Sequence, residues 1–279
     1  MAFSPDGEIL AISGGAGRIH RYGVATLEPV GEPVDVDGPP VSLAFSPDGR
    51  ILAAGSAQDA VTLVDARTGT PDAARRLGYS GPVAVAFSPD GRRLVATVSS
   101  GNAEVFDLTE DRVTARPVSD YRNQITIVAF SPDGRVLVTG DHTGNLQFRD
   151  PETFAPVGAP VAGTGNYVTR IAFSPDGRLV VAGDFGGTTR LVDVETRRLM
   201  SERFTATVGD YVSFTPDGTR MATSSADATL VWDLDVAVWR ERACDIAGRN
   251  LTEAERGEYL PNDPDAPPTC PAFADVPDG

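Results

Sequence analysis

The chain has 279 residues, 41% of them hydrophobic, and sets 39 acidic against 24 basic side chains for a formal net charge of −15. That length can bury a substantial core, no apolar run approaches the ~20 residues of a membrane span, and the acidic balance argues against a nucleic-acid backbone as ligand. All the basic residues are arginine, with two histidines besides, so the chain has no lysine for a Schiff base or a P-loop.

The first predicted element is a turn. Phe3-Ser4-Pro5-Asp6-Gly7 recurs as FSPDG from Phe45, Phe87, Phe130 and Phe173, and as FTPDG from Phe214, at spacings of 42, 42, 43, 43 and 41 residues. A repeat of that length marks a unit that cannot bury its own apolar face and must stack on copies of itself. Each copy has the same order. An apolar run ends in Phe, as in Val41 to Phe45, Val83 to Phe87, Ile127 to Phe130 and Val168 to Phe173. Proline then presets φ, and glycine takes the left-handed position that closes a hairpin. A second run follows: Ile51 to Ala54, Leu94 to Thr97, Val136 to Thr139 and Leu179 to Ala182. A third run ends at Asp65, Asp107, Asp150, Asp193 or, in the last copy, Trp232-Asp233. A looser fourth stretch, such as Ala155 to Ala162, leads on. Four short strands per repeat make one blade of an all-β propeller.

After Asp233 the pattern changes. Val236, Trp239, Ala243 and Ile246-Ala247 keep helical spacing. Asn250 is placed to N-cap a second short helix over 253–259, and 261–271 is proline-rich. The predicted organisation is therefore a propeller over 1–235 and a helical, proline-rich extension over 236–279. Both cysteines, Cys244 and Cys270, fall in the extension. They could be a disulfide, a redox pair, half a zinc site or two buried thiols. Zinc takes four ligands, and His20 and His142 are distant in sequence, so no metal site is expected.

The repeats FSPDG…LA-G…WD over residues 1 to about 235 resemble the bacterial WD40 repeat family. Only Trp232-Asp233 is a literal WD, and no Gly-His pair precedes a blade. The extension resembles one that follows the propellers of actinobacterial WD40 proteins. The matching residues are Trp239, Cys244, Ile246 to Thr252, Glu255, Tyr259 to Pro261 and Thr269 to Pro271. That resemblance implies a close pair or structural disulfide between Cys244 and Cys270. It also implies a sensor or scaffold region, in a family whose propellers often follow a STAND-type NTPase, a kinase or a transcriptional regulator.

Catalytic constellations are absent. A Ser-His-Asp triad would need His20, in a third-strand segment, or His142, in a turn. Asp141 and Asp184 occupy similar turns in adjacent repeats, where paired carboxylates would suit a cation or a sugar, but they read first as solvated β-turn aspartates. Gly14 to Gly17 and Gly186-Gly187 precede no helix and make no phosphate cradle. The functional signal lies in aromatics outside the repeat. Tyr79, Tyr121, Tyr167 and Tyr211 precede the first strands of blades, at 8, 9, 6 and 3 residues before the Phe. A repeated packing role would keep one offset, so the variation points to exposure. Arg122, Asn123, Asn166, His142 and Phe185 are expected on the same rim. Tyr and Arg are favoured interface anchors.

The sequence thus predicts a non-catalytic protein-interaction propeller without cofactor. Its expected partner is a protein or another domain of a parent, with no nucleic acid and no membrane. The N-terminus shows no basic and apolar leader, and a cytoplasmic location is expected. The alternative is a propeller enzyme or one that binds a small ligand at the channel mouth. Met1-Ala2-Phe3 compares with Val85-Ala86-Phe87, so the first blade should lack most of its innermost strand and the last its outer one. The expectation is the C-terminal part of a longer protein, most simply of seven blades.

Overall fold

The computed structural model describes residues 1–15, 17–36, 38–56, 60–72, 77–78, 82–98, 101–109, 115–118, 124–163, 165–200, 204–205, 211–224, 229–235, 245, 249–250 and 270. The chain divides into two compact units, residues 1–213 with 223–230, and residues 214–222 with 231–279.

Five antiparallel sheets lie within the first unit, each a meander in chain order. The first holds β1 (Ala2–Phe3), β2 (Ile9–Gly14), β3 (Arg18–Gly23) and β4 (Val34–Asp35). The second holds β5 (Pro40–Phe45), β6 (Ile51–Ser56), β7 (Ala60–Asp65) and β8 (Leu77–Gly78). The third holds β9 (Pro82–Phe87), β10 (Arg93–Val98), β11 (Ala103–Asp107) and β12 (Ala115–Val118). The fourth holds β13 (Ile125–Phe130), β14 (Leu137–Asp141) and β15 (Leu146–Arg149). The fifth holds β16 (Val168–Phe173), β17 (Leu179–Asp184) and β18 (Thr188–Asp193), with β19 (Arg198–Leu199) and β20 (Phe204–Thr205) both on β18. A sixth sheet is ordered β21 (Tyr211–Phe214), β22 (Arg220–Ser224), β23 (Thr229–Asp233).

The repeated phrase makes one turn six times. Ser4 Oγ donates to Asp6 Oδ1 at 2.5 Å and accepts the Ile9 N–H at 2.8 Å. The same pair recurs as Ser46–Asp48, Ser88–Asp90, Ser131–Asp133, Ser174–Asp176 and Thr215–Asp217. Each turn closes on a glycine with φ near 70°, from Gly7 at 72° to Gly218 at 70°, a region costly for any residue with a Cβ. A Cβ at Gly49 would lie 3.6 Å from Pro5 Cδ, and one at Gly91 3.6 Å from Pro47 Cδ. The turns at Gly49, Gly91, Gly134 and Gly177 thus each rest on the proline of the preceding repeat. The hydroxyl donors hold the carboxyls of Asp6, Asp48, Asp133 and Asp176 below the ordinary range, and that of Asp217 is pushed down to about 2.

Between the sheets, alternation along each strand fills both faces. Leu52 and Ala54 of β6 face Ala11, Ile19 and Val34 of the first sheet. Ala53 between them faces Val85, Leu94 and Ala96 of the third. Val95 of β10 joins Ile125, Val128 and Leu137, and Val138 and Phe148 pack on Val168, Val180 and Ala182. Burying a Val or Leu side chain in this way contributes roughly 1.5–3 kcal/mol.

The fourth stretch departs from expectation in the fourth sheet. Over 155–162 it forms only two isolated bridges, Arg149↔Pro156 and Leu146↔Val161. Pro156 and Pro160 lack the N–H that a ladder needs. The expected helices of the extension lie outside the described residues, apart from Asp245, which is helical. Asn250, expected to cap the second of them, is buried, and its Oδ1 accepts the Cys270 N–H at 2.7 Å. Cys270 is disulfide-bonded; Cys244 lies outside the described residues.

Arginine binds neighbouring sheets together, a role the composition alone did not disclose. Arg21 of β3 is 2% exposed and donates to the carbonyls of Ala66 at 3.2 Å, Arg67 at 2.8 Å and Glu32 at 3.0 Å. Arg93 of β10 reaches Pro151 O at 2.6 Å and pairs with Glu152. Arg149 is buried and braces its own sheet instead, with Nε on Thr139 Oγ1 of β14 and Nη1 on Phe154 O in the turn after β15. A planar fork of five donors suits such clusters of carbonyls where an ammonium would not.

Candidate functional site: an aromatic rim over a cavity

Two turns and one loop build the site. In the turn between β14 and β15, Asp141 Oδ1 accepts the Thr143 N–H at 2.8 Å, the Thr143 hydroxyl at 2.8 Å and the Asn145 N–H at 2.9 Å. The carboxylate winds the turn about itself and leaves His142 at its tip, exposed, with its N–H on Gln124 O at 2.9 Å. In the turn between β17 and β18, Asp184 Oδ1 accepts the Thr188 N–H at 2.7 Å. Phe185 stands at that tip, its N–H on Tyr167 O at 3.2 Å and its side chain among the exposed large hydrophobics, at 61%. Asp141 and Asp184 are 9% and 2% exposed. This corrects their reading as solvated: the turn's own amides and hydroxyls replace water around the charge.

Tyr167, just before β16, inserts between the two tips. Its ring centroid is 5.5 Å from that of His142 with 18° between the planes, and 5.0 Å from that of Phe185 with 19°. Near-parallel rings at these separations are in the favourable range for aromatic pairs, about 0.5–1.5 kcal/mol each beyond the area they bury. Asn166 beside it is exposed and accepts the Tyr167 N–H on its Oδ1 at 2.9 Å.

Four expected rim residues are thus brought together: His142, Asn166, Tyr167 and Phe185. Tyr167 is half-buried, so it both wedges between turns of adjacent sheets and presents an edge to solvent. Tyr79, Tyr121, Arg122 and Asn123 lie outside the described residues. Tyr211 opens β21, and its side chain is likewise outside them.

Two rings of the stack, those of His142 and Tyr167, help line a cavity of about 770 Å³. Gln124 and residues of the first strands of the sheets, Ser42, Thr126 and Arg170 among them, line it as well. Hydroxyls lace these strands: Thr126 Oγ1 donates to Val168 O at 2.5 Å, and Ser42 Oγ accepts the Val85 N–H at 3.2 Å. Among the described residues, no group of His, Cys, Asp and Glu could hold a metal ion, and no helix is long and apolar enough to cross a membrane.

Comparison with known proteins agrees with this architecture. Residues 33–64, 116–150 and 159–193 match the WD40 family, described as WD domain, G-beta repeat. No curated protein matches the chain. Among solved structures, it is similar to the β-propeller domain of Cps50 (Swd1) from Myceliophteria thermophila, with a TM-score of 0.72 and 18% identity over 83% of this chain and 82% of that one. It is also similar to Kuenenia stuttgartiensis hydrazine synthase, with a TM-score of 0.72 and 18% identity over 86% of this chain and 78% of that one. At such identity the likeness carries the fold alone.

Proposed function

We propose that this chain, a WD40-repeat protein of β-propeller fold, is a non-catalytic interaction module that binds a protein partner through its aromatic rim. WD40 propellers generally mediate protein–protein interactions, which supports the class of function. The observation that carries the site is the stack of His142, Tyr167 and Phe185, ending in a phenyl ring 61% exposed. A rigid aromatic surface at the tip of hydrogen-bonded turns loses little entropy on binding and offers the anchor that interface centres favour. The partner is a separate protein or another domain of a larger regulatory parent of the STAND NTPase, kinase or transcriptional-regulator type, and the module works in the cytoplasm.

Placing a photo-reactive benzoylphenylalanine at Phe185 tests this in cells. A discrete cross-linked protein product is expected there, and none from the same group at Glu195, an exposed residue of the turn after β18. Equal cross-linking from both positions would count against the rim.

A further inference from the structure

The first sheet has one covered face and one bare one. Ala11, Ile19 and Val34 pack on the second sheet. On the opposite face, pairing sets Phe3 beside Leu10 and Leu10 beside Tyr22, with Ile12 next along β2 on the same side. Phe3 is 57% exposed and Ile12 37%, and Leu10 and Tyr22 are half-buried. The same positions in the next four repeats are covered. Leu10 becomes Leu52, Leu94, Leu137 and Val180, each wholly buried. Ile12 becomes Ala54, Ala96, Thr139 and Ala182, none more than 2% exposed. Phe3 becomes Phe45, Phe87, Phe130 and Phe173, each packed in the core between its own sheet and the one before. Two positions at the end of the sheet agree. Leu27 keeps a φ of 58° while 76% exposed, a strained place for a bulky side chain with nothing to pack on. Its equivalents touch the preceding repeat: Gly69 lies against Arg21, and Phe154 packs with Val95. Arg21 and Arg93 donate to the carbonyls of Ala66 and Pro151 in the sheet that follows each. The equivalent carbonyl of the first repeat is that of Val24, itself exposed, and among the described residues no arginine reaches it.

We propose that the bare face of the first sheet docks a further antiparallel sheet of the same repeat, carried ahead of β1 by the parent polypeptide. Small aliphatic side chains of that sheet lie over Leu10 and Ile12, and an arginine on it donates to the Val24 carbonyl. The occupant follows from the other interfaces: in all four, the sheet that covers this face is the one preceding in chain order. A stacked repeat buries its apolar face only on a neighbour, and a contiguous exposed apolar patch marks an interaction site. Arginine suits the role at the turn because its fork reaches paired carbonyls, as Arg21 does at Ala66 and Arg67. Docking here rests on the larger parent proposed above and is separate from the aromatic rim, so either can fail without the other.

Duplicating the first repeat tests it. Residues 1–43 are placed ahead of Ala2–Gly279, so that Pro40-Val41-Ser42-Leu43 runs into Ala2-Phe3 in the register of β5. The outer copy then offers Ala11, Ile19 and Arg21 to the bare face, as the first sheet offers them to the second. The probe is Ile12→Cys, alkylated with iodoacetamide and located by mass spectrometry, with folding followed by circular dichroism. In the chain without the duplication this thiol should label freely. In the extended chain the inner Ile12→Cys should label at least about tenfold more slowly, and the outer one as freely as before. Ile19→Asp in the outer copy sets a charge against the inner sheet and should restore labelling of the inner thiol; Arg21→Met there should restore part of it. Equal labelling of inner and outer thiols in the folded extended chain, or protection unchanged by either outer substitution, would overturn the proposal. So would an extended chain that fails to fold where the shorter one folds. Protection of Ile12→Cys in the shorter chain that grows with protein concentration would make a second copy the occupant, and would overturn it too.

Discussion

Arg21→Met removes a guanidinium that is 2% exposed and holds three backbone carbonyls, those of Ala66 and Arg67 on the neighbouring sheet and of Glu32 on its own. Methionine fills much of the volume and leaves the acceptors without donors. Burial lowers the guanidinium's hold on its proton, opposed by the Asp65 carboxylate, and its Nε has no hydrogen-bond partner among the described residues. The native arrangement therefore already bears a desolvation cost, which sets the loss below the sum of three charged hydrogen bonds. With about 1 kcal/mol for each orphaned carbonyl, the substitution should cost about 3 kcal/mol, or roughly 6 °C in Tm for a chain of this size. Gly69 supplies the control. Its φ is +80°, and a Cβ there would lie 2.4 Å from Arg21 Nη2. Gly69→Ala should cost about 1 kcal/mol from backbone strain in the Arg21→Met background and distinctly more with Arg21 present. Urea denaturation followed by circular dichroism across the four proteins gives the coupling. A cycle additive within about 0.5 kcal/mol, or a loss below 1 kcal/mol for Arg21→Met, would refute the reading of Arg21 as a clamp between sheets.

Leu27 holds φ at 58° and is 76% exposed, so Leu27→Gly should raise stability by up to about 1 kcal/mol in the same denaturation assay. Phe154, at φ 62°, should lose stability on the same change, because it packs against the core between the third and fourth sheets and lies under Arg93 with 5.9 Å from the guanidinium carbon to the ring centroid. Acid should weaken the repeat turns. Their carboxyls are lowered in the folded state, chiefly by the Ser or Thr hydroxyl at Asp48, Asp133, Asp176 and Asp217. The stability they confer is complete above the unfolded value near 3.8 and is lost as pH falls through the folded one, about 2 for Asp217. Melting temperature should hold steady at neutral pH and drop between about pH 4 and 2, less steeply in Asp217→Asn.

The repeat was legible because its chemistry is local. Ser, Pro, Asp and Gly within five residues close one turn, and six copies repeat one hydrogen-bond pattern. His142, Tyr167 and Phe185 were legible as a group because strand order alone brings those turns to one edge, although their stacking was not. The arginine clamps were invisible in sequence: Arg21 meets carbonyls 45 and 46 residues further along, and backbone acceptors leave no mark in a side-chain pattern. The buried state of Asp141 and Asp184 escaped for a related reason, since turn composition looks alike whether the carboxylate faces water or its own backbone amides. The fourth strand over 155–162 failed where Pro156 and Pro160 withhold donors, a signal that was present and outweighed by the register of the other repeats.

The most direct test of the aromatic rim is the affinity of the partner recovered through Phe185, measured by calorimetry against the unaltered chain, Phe185→Ala, Tyr167→Ala and Glu195→Ala. Truncating an anchor at an interface centre costs about 2 kcal/mol or more. The rim therefore predicts at least a tenfold weaker complex for both Phe185→Ala and Tyr167→Ala, and less than a twofold change for Glu195→Ala. Equal affinity across all four folded proteins would contradict it.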